Sequence, residues 1–431
     1  MARIGPIDDL LRNRGPYTPK EVPDDFTLDD YKLGLDGKVL VVGAGGLGCE
    51  IIKNLAMCGF KSIDVIDMDT IDISNLNRQF LFRDEDIGKS KAEVACVAVA
   101  KVVNAKIGPI SRLTEVKNEE DVAVLTPHFC TIQEMPIEWY QLFDLVICGL
   151  DSVEARRWMN ATLHAFLPER IIPMIDGGTE GFRGQARVII PGQSLCYECT
   201  LFTVAPKVTY PVCTIANTPR LPEHCIEWAS QLAWPRHFPD RSFDGDDPDD
   251  VDWMFETAKK RAELFGISGV TRQLTLGVVK NIIPAIALTN AIIAALCCNE
   301  AFKLMTNSNP LLDNYMMYSG DQGIYTYTFA TSKTKDCAVC GNEAKQLKVP
   351  RGWTLEEFLE HLTTVQNIQV MRPSVATKSK QLYLQSPPLL EEATRPNLMK
   401  TLSSLIDEHE EMILTDPALP ITMKLIVKFT G

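Results

Sequence analysis

The stretch Lys38-Val-Leu-Val-Val-Gly-Ala-Gly-Gly-Leu-Gly48 decides the fold of this chain. It reads as a short β-branched strand, a glycine loop and the start of a helix that continues to Cys58. Glycines let the backbone approach a phosphate closely, and the helix N-terminus offers free N–H groups to the anion. The pattern therefore predicts a nucleotide-phosphate site at the loop glycines Gly43, Gly45, Gly46 and Gly48.

The chain beyond this stretch continues to alternate strands with helices. The pattern predicts a strand over 63–66, a helix over 90–103 and a strand over 145–148. Strands that are separated by helices usually pair in parallel. The sequence thus predicts an α/β fold with a doubly wound, mainly parallel, Rossmann-like sheet.

Two segments depart from this rhythm. Residues 206–285 combine many prolines, an acidic stretch and helical patterns, which predicts an inserted helical domain. Residues 346–431 alternate short strands with helices, and Thr354-x-x-Glu357 forms a capping box that marks a helix start there. We predict an arm over 1–35, a sheet domain over 36–205 and 286–345, an inserted domain over 206–285 and an α+β domain over 346–431.

Composition limits the classes to which the protein can belong. Of its 431 residues, 45% are hydrophobic and 23% are charged, as in soluble globular proteins. The formal charge of −13 argues against a nucleic-acid partner, because phosphate contacts need clustered Lys and Arg. The longest apolar stretch, 282–298, is interrupted by Pro284 and Asn290, and it predicts a buried core helix rather than a membrane span.

The chain contains 13 cysteines, and its N-terminal residues have no apolar run typical of a secretion signal. In a reducing compartment such thiols serve as metal ligands or nucleophiles. We therefore expect the protein in the cytoplasm and nucleus.

Two aspartates follow strands of the predicted sheet. Asp67 has the spacing from the glycine loop at which a carboxylate binds ribose hydroxyls. On these residues alone NAD and ATP fit equally well, so a NAD-dependent oxidoreductase is one alternative. Asp151 is either a phosphate-side metal ligand or the N-cap of the next helix, with Glu154 completing a capping box.

The run Asp67-Met-Asp-Thr-Ile-Asp-Ile-Ser-Asn-Leu-Asn-Arg-Gln79, followed by Gly88-Lys-Ser-Lys91, resembles the adenylation motif of the ubiquitin-activating enzyme family. Donors placed after the ribose aspartate suit chemistry at an α-phosphate, where negative charge must be neutralised. The resemblance implies that ATP is bound by the glycine loop and by Asp67, Asp69, Asn75, Arg78, Gln79, Lys91 and Asp151. It also implies that Asp151 holds Mg²⁺.

Two Cys-x-x-Cys pairs are separated by more than a hundred residues. The four thiolates Cys196, Cys199, Cys337 and Cys340 suit a closed, tetrahedral structural Zn²⁺. Their long separation predicts a clip that holds the ends of the inserted domain against the sheet, rather than a small zinc finger. A redox pair is the rival interpretation for either pair taken alone, and the family carries the same paired motif.

The segment around Cys213 contains the candidate nucleophile. A lone cysteine is more often a small buried hydrophobe. However, Pro211-Val-Cys213-Thr214 lies in a polar, proline-flanked loop, and it resembles the thioester signature of the family. Cys225 lies in an apolar helix start and is the less suitable of the two.

The resemblance covers nearly the whole chain after residue 38. The chain holds a single adenylation sheet, which implies a heterodimer with a pseudo-symmetric regulatory subunit. The runs 176–188 and 221–228 are closest to catalytic subunits of the neddylation pathway, with the sumoylation pathway as the alternative. In the neddylation subunits, the residue matching Arg187 is understood to reject the arginine in the tail of ubiquitin. Like-charge repulsion can serve as such a filter.

The resemblance also implies the course of the reaction. The enzyme adenylates the C-terminal glycine of a Nedd/Rub-type modifier, captures the modifier as a thioester on Cys213, and transfers it to a conjugating enzyme. The domain over 346–431 resembles the ubiquitin-fold (β-grasp) domain that recruits this conjugating enzyme, with a merely stabilising domain as its rival. A non-catalytic scaffold is disfavoured, because Arg78, Lys91, Asp151 and Cys213 are all present.

Overall fold

The computed structural model describes residues 34–103, 105–108, 123–203, 212–239, 241, 243, 247–280, 286–306, 314–341, 343–365, 368, 370–377, 379–416 and 419–430. The predicted arm over 1–35 lies almost entirely outside the described residues. The chain divides into two compact units, of which the second comprises Asp72–Ser74 and Lys207–Ile286.

The first unit is built on a nine-stranded sheet of order β3-β4-β2-β1-β5-β6-β7-β8-β9. Strands β1 to β6 pair in parallel, and β7, β8 and β9 add antiparallel strands at one side. The strands are β1 (Lys38–Val42), β2 (Ser62–Ile66), β3 (Lys106–Ile107), β4 (Val124–His128), β5 (Leu145–Cys148), β6 (Met174–Glu180), β7 (Arg183–Ile189), β8 (Tyr315–Ser319) and β9 (Tyr325–Phe329).

Helices cover both faces of this sheet, because successive strand residues point to opposite sides. Val39 and Val41 pack into the core that contains α1, α2 and α10, whereas Leu40 and Val42 pack into the core that contains α3 and α4. The helices are α1 (Gly46–Met57), α2 (Lys91–Val103), α3 (Ile137–Tyr140), α4 (Val153–His164) and α10 (Ala287–Thr306). The fold is therefore the doubly wound, mainly parallel α/β fold that the sequence predicts.

One helix within the described part of the chain, α10, is long and apolar enough to cross a membrane. Its side chains Ile293, Ala294 and Cys297 are buried in the core shared with α1. In the part that the structure describes, the apolar stretch is thus a core helix, as predicted. Residues 281–285 lie outside that part.

The second unit is helical and has a small core of its own. Its helices are α5 (Val212–Asn217), α6 (Pro222–Trp228), α7 (Trp234–His237), α8 (Pro248–Leu264) and α9 (Arg272–Lys280), with a π-helical turn over Ala229–Ala233. Ile226, Trp234 and Met254 form the centre of the core. Asp247 caps α8 by accepting a hydrogen bond from the amide of Asp249 at 2.9 Å.

The C-terminal part of the first unit carries a separate five-stranded sheet of order β10-β14-β13-β11-β12. Its strands are β10 (Lys345–Pro350), β11 (Ser374–Thr377), β12 (Gln381–Tyr383), β13 (Glu411–Asp416) and β14 (Leu419–Thr430). The helix α11 (Leu355–Thr364) buries Phe358 and Leu362 against them, and α12 (Pro388–Thr394) and α13 (Leu402–Leu405) follow. The predicted capping box is present: Thr354 Oγ1 accepts from the amide of Glu357 at 3.2 Å, and the Glu357 carboxylate accepts from the amide of Thr354 at 2.8 Å.

Replacing Thr354 with Ala should destabilise this C-terminal sheet and helix by about 1 kcal/mol, because an amide at the helix start loses its acceptor. Hydrogen exchange of the α11 amides measures the effect. Thr363→Ala on the same helix is the matched control, since the exposed Thr363 hydroxyl donates only to the carbonyl of Glu360 within the helix. Equal exchange rates in the two variants would contradict the capping role.

Candidate active site

Parallel pairing brings three sequence motifs to one edge of the sheet. Val42, the last residue of β1, lies opposite Ile66 of β2 and Cys148 of β5. The residues that follow these strands, namely the glycine loop, Asp67 and the loop leading to Asp151, therefore start side by side. Backbone hydrogen bonds of 2.8 Å from Gly43 to Ile66 and from Gly149 to Val42 hold the loops together.

Three of the four loop glycines have no room for a side chain. Gly43 has a φ of 98°, which disfavours any other residue, and a Cβ there would lie 2.8 Å from the carbonyl oxygen of Gly149. A Cβ at Gly48 would overlap the carbonyl of Gly43, and one at Gly46 would lie 2.5 Å from the side-chain nitrogen of Asn290. The bare loop runs into the N-terminus of α1, where the amide groups can bind an anion.

The carboxylate of Asp67 is fixed in place by two backbone amides. Ala44 donates to one oxygen at 2.6 Å and Asp69 donates to the other at 2.8 Å. Burial raises the pKa of Asp67, while these two hydrogen bonds and the nearby Lys91 lower it. The side chain thus stands beside the glycine loop in the place that the sequence predicts for binding ribose.

Lys91 and Gln79 extend the site. Lys91 is buried at the start of α2 and pairs with Asp69 at 2.8 Å. Gln79 is also buried, and its side-chain oxygen has no hydrogen-bond partner among the described residues. A Cβ at Gly45 would lie 4.0 Å from the Gln79 side-chain nitrogen. An unsatisfied buried acceptor beside a bare glycine loop fits a site that is completed by a polar ligand such as ATP.

The segment between Asp69 and Gln79 forms a tight turn. The carbonyl of Asn75 accepts hydrogen bonds from the amides of Arg78 at 3.1 Å and Gln79 at 2.9 Å. The Arg78 guanidinium is half-buried and donates to Asn77 Oδ1 at 3.1 Å. A hydrogen bond joins Asp69 to Asp67, and an ion pair joins Lys91 to Asp69. Gln79 lies beside the glycine loop.

Asp151 is not a helix cap. Ser152 is the N-cap of α4, and its hydroxyl accepts from the amide of Ala155 at 3.2 Å. The capping alternative for Asp151 is therefore wrong, because the next residue in the chain provides the cap. Asp151 itself is exposed at the carboxyl end of a parallel strand, where a phosphate-side metal ligand is expected.

Arg156 shapes the loop before Asp151, and the sequence analysis did not single it out. Its guanidinium donates to the carbonyls of Leu150 at 2.5 Å and Gly177 at 3.0 Å, and it lies 3.1 Å from the carboxylate of Asp176. The residue was visible in the motif after Cys148. However, no local pattern distinguishes an arginine that folds back onto its own loop from a solvated one.

Arg187 lies inside the protein rather than on its surface. Its side chain is fully buried, pairs with Asp176 at 2.8 Å, and lies 4.4 Å from the ring centre of Tyr197. It therefore does not present its charge at the surface, as a direct contact with a modifier tail would require. Arg156 and Arg187 share the single carboxylate of Asp176, so the three groups carry a net positive charge. Whether Arg187 acts in selectivity stays a prediction.

The sulfur atoms of the four predicted zinc ligands lie close together, and we call each of the two Cys-x-x-Cys pairs a knuckle. Cys196 and Cys199 sulfurs lie 3.8 Å apart, Cys196 lies 3.4 Å from Cys337, and Cys199 lies 3.3 Å from Cys340. A tetrahedral Zn²⁺ with Zn–S bonds of about 2.3 Å needs sulfurs roughly 3.8 Å apart. All four ligand atoms lie within 4.8 Å of one another, so the cluster can hold a metal ion. Thr334 donates to Cys199 from both its amide and its hydroxyl.

A buried ion pair ties this cluster to the rest of the first unit. Glu198, inside the first knuckle, accepts two hydrogen bonds from Arg157 of α4, at 2.9 and 2.6 Å. Arg157 also donates to the carbonyl of Ile368 in the C-terminal part at 3.0 Å. Sequence reasoning missed this pair, because its members are 41 residues apart and each lies in a motif with another role.

Cys213 lies in α5 of the second unit, and its side chain falls outside the described part. Cys225, in α6, is fully buried, and burial raises the pKa of its thiol. A buried thiol with a raised pKa is a weak nucleophile. The geometry therefore disfavours Cys225, and the choice of Cys213 stays a prediction.

Comparison with known proteins gives consistent matches. The ThiF family profile matches residues 21–339, and an E2 binding domain profile matches residues 348–429. The chain is 50% identical to the NEDD8-activating enzyme E1 catalytic subunit of Dictyostelium discoideum, over 99% of this chain and 96% of that protein. It is 45% identical to the protein of the same name in Schizosaccharomyces pombe, over 96% of both chains. SUMO-activating enzyme subunit 2 of Dictyostelium discoideum is 45% identical over only 45% of this chain and 26% of its own length.

Gly48→Ala should lower the affinity for ATP by about tenfold or more, because the new Cβ displaces the carbonyl of Gly43 and with it the phosphate loop. Isothermal titration with ATP measures the change. Gly352→Ala is the control, since a Cβ there meets nothing within 4 Å. If Gly48→Ala binds ATP as tightly as Gly352→Ala does, the glycine loop is not the phosphate site.

Proposed function

Since this chain belongs to the ThiF family and to its NEDD8-activating enzyme E1 catalytic subunits, we propose that its residues divide the activation of the modifier among three sites. The enzyme activates a ubiquitin-like modifier in an ATP-dependent reaction and passes it to an E2 conjugating enzyme. The observation that carries the proposal is the sheet edge at which the glycine loop, Asp67 and the Asp151 loop meet.

The adenylation site binds ATP by complementary contacts along the nucleotide. The glycine loop and the N-terminus of α1 bind phosphates, and Asp67 binds the ribose hydroxyls. Asn75 and Gln79 supply further hydrogen bonds. The Mg²⁺ that Asp151 would hold neutralises phosphate charge. Arg156 orients that loop by holding the carbonyl of Leu150.

Adenylation joins the modifier to AMP. A carboxylate oxygen of the C-terminal glycine forms a bond to the α-phosphorus, the bond to the β-phosphate oxygen breaks, and pyrophosphate leaves. Negative charge develops around the α-phosphate, and Arg78 and Lys91 are the cations that stabilise it. In the structure Lys91 is paired with Asp69, which keeps its ammonium group beside the ribose aspartate.

Thioester formation uses Cys213. Its thiolate sulfur forms a bond to the carbonyl carbon of the adenylated glycine, the acyl–oxygen bond to AMP breaks, and AMP leaves. The cysteine of the conjugating enzyme then attacks the thioester and frees Cys213. The domain matched over residues 348–429 recruits that enzyme, and tethering it near the loaded cysteine raises its effective concentration.

A structural Zn²⁺ would be held by Cys196, Cys199, Cys337 and Cys340, whose spacing suits tetrahedral thiolate ligation. We further propose a pseudo-symmetric regulatory subunit as partner, because the chain contains one adenylation sheet. Location in the cytoplasm and nucleus follows from the need to keep these thiols reduced. The sumoylation alternative is less favoured, since the SUMO-pathway relative matches less than half of this chain.

Cys213→Ala should leave adenylation intact and abolish the thioester. With the partner subunit present, modifier-dependent pyrophosphate exchange reports adenylation, and a reducible band on a gel reports the thioester. Cys225→Ala is the matched control and should retain both activities, because its thiol is buried. A thioester that survives in Cys213→Ala and is lost in Cys225→Ala would mean that the nucleophile is misassigned.

Arg187→Gln should let ubiquitin compete about tenfold better with the preferred modifier, since removing this buried charge lowers the positive electrostatic potential that Arg156 and Arg187 create around Asp176 and so weakens the repulsion of a tail arginine. Competition in the thioester assay gives the ratio. Arg183→Gln on the same strand is the control, because its exposed side chain pairs with Asp321. Unchanged discrimination in a folded Arg187→Gln enzyme would remove this residue from selectivity.

A further inference from the structure

The helix that carries Cys213 is too short to be stable by itself. α5 has six residues, Val212–Asn217, whereas isolated helices shorter than about 12 residues are marginal in water. Its last carbonyl groups also lack partners within the helix. The position of α5 therefore depends on what the rest of the second unit supplies.

Arg261 of α8 supplies hydrogen-bond donors and a positive charge at the C-terminal end of α5. One guanidinium nitrogen donates to the carbonyl of Ile215 and to that of Ala216, each at 2.7 Å. These are carbonyls of the last turn of α5, where a cation is favourable because the C-terminus of a helix carries partial negative charge. The contact spans 46 residues of sequence, so it fixes one helix against another.

The arginine is itself held rigidly. It is 9% exposed, and its guanidinium carbon lies 4.1 Å from the ring centre of Trp228 and 5.1 Å from that of Phe265. Stacking on aromatic faces restricts the plane of a guanidinium group. The side chain of Ile215 is 1% exposed and provides the apolar anchor on the same turn.

We propose that Arg261 is a positioning residue for thioester formation, acting through the two carbonyls at the end of the helix that carries Cys213. Its described contacts are with the carbonyls of α5 and with the rings of Trp228 and Phe265. It restricts the motion of α5, so that Cys213 spends more of its time where the adenylate can be attacked. Losing such restriction lowers the effective concentration of a nucleophile without changing its chemistry.

The proposal rests on Cys213 as the nucleophile. It predicts that the loss of Arg261 slows thioester formation and leaves adenylation unchanged. The contacts described above for Arg261 all lie within the second unit, so adenylation should not depend on it. Arg261→Met removes both hydrogen bonds and keeps an apolar side chain against Trp228. Arg261→Lys keeps the charge but replaces the planar fork with a point charge. Arg272→Met is the control in the same unit, since Arg272 makes an exposed ion pair with Asp252 at 2.7 Å.

The experiment measures single-turnover thioester formation and pyrophosphate exchange on the enzyme assembled with its partner subunit, at saturating ATP and modifier. For Arg261→Met we expect thioester formation slowed about tenfold, with pyrophosphate exchange and the KM for modifier unchanged. Arg261→Lys should load at an intermediate rate, and Arg272→Met should load normally. Thermal melting and circular dichroism confirm that each variant is folded.

Two outcomes overturn the proposal: wild-type loading by a folded Arg261→Met enzyme, or loss of pyrophosphate exchange in step with loading. If Arg261→Met does not fold, Arg261→Lys decides, because full-rate loading would show that the planar guanidinium group stacked on Trp228 is dispensable, which contradicts the proposal. Mapping the trapped adduct by peptide mass distinguishes this failure from a wrong nucleophile. An adduct on any residue other than Cys213 refutes the proposed function itself.

Discussion

The parallel pairing of β1 with β2 and β5 is the constraint on which the rest of the site depends. Because Val42 stands level with Ile66 and Cys148, the three loops that follow must share a small volume. Only a chain without side chains at Gly43 and Gly48 can turn there, since a Cβ at Gly48 would occupy the place of the Gly43 carbonyl. The same close approach leaves the α1 amides bare for an anion and directs Asp67 to the amide of Ala44. The bare amides at the start of α1 and the position of the Asp67 carboxylate are therefore consequences of one packing requirement.

Buried ion pairs fix the positions of loops and helices that strand pairing alone does not determine. Asp176 is shared by Arg156 and Arg187, and Glu198 is bound by Arg157. Arg156 is 13% exposed, and the other four side chains have almost no exposed surface. The attraction within a buried ion pair roughly offsets the cost of desolvating it, so these pairs add little net stability. Their effect is geometric: Arg156 holds the loop before Asp151, and Arg157 connects α4, the cysteine knuckle and the carbonyl of Ile368. The C-terminal domain is thereby attached to the same helix that follows Asp151.

How much could be predicted from the sequence depended on how local each signal is. The strand Leu145–Cys148 matches its predicted bounds, and the capping box at Thr354 forms as predicted, because both are set by residues within one element. The sequence left two alternatives open where neighbours compete: Asp151 and Ser152 can each cap α4, and in the structure the serine does so. Arg157 and Arg261 could not be assigned, since their partners lie 41 and 46 residues away and their own neighbourhoods look like ordinary polar helices. The burial of Arg187 could not be predicted either, because it depends on contacts with Asp176 of the neighbouring strand and with Tyr197.

The proposed chemistry is easier if the nucleophile is carried by a part of the chain other than the nucleotide site. The cysteines close to that site are unsuited to attack, because burial raises the pKa of Cys49 and Cys148, and the charges of Asp67 and Asp176 raise them further. Burial and a neighbouring carboxylate both favour the neutral thiol, so this environment keeps these two thiols protonated. Placing Cys213 on a helix of the second unit avoids this conflict. The cost is that a short helix must be held by distant contacts, which is the role that the buried Arg261 is built to fill.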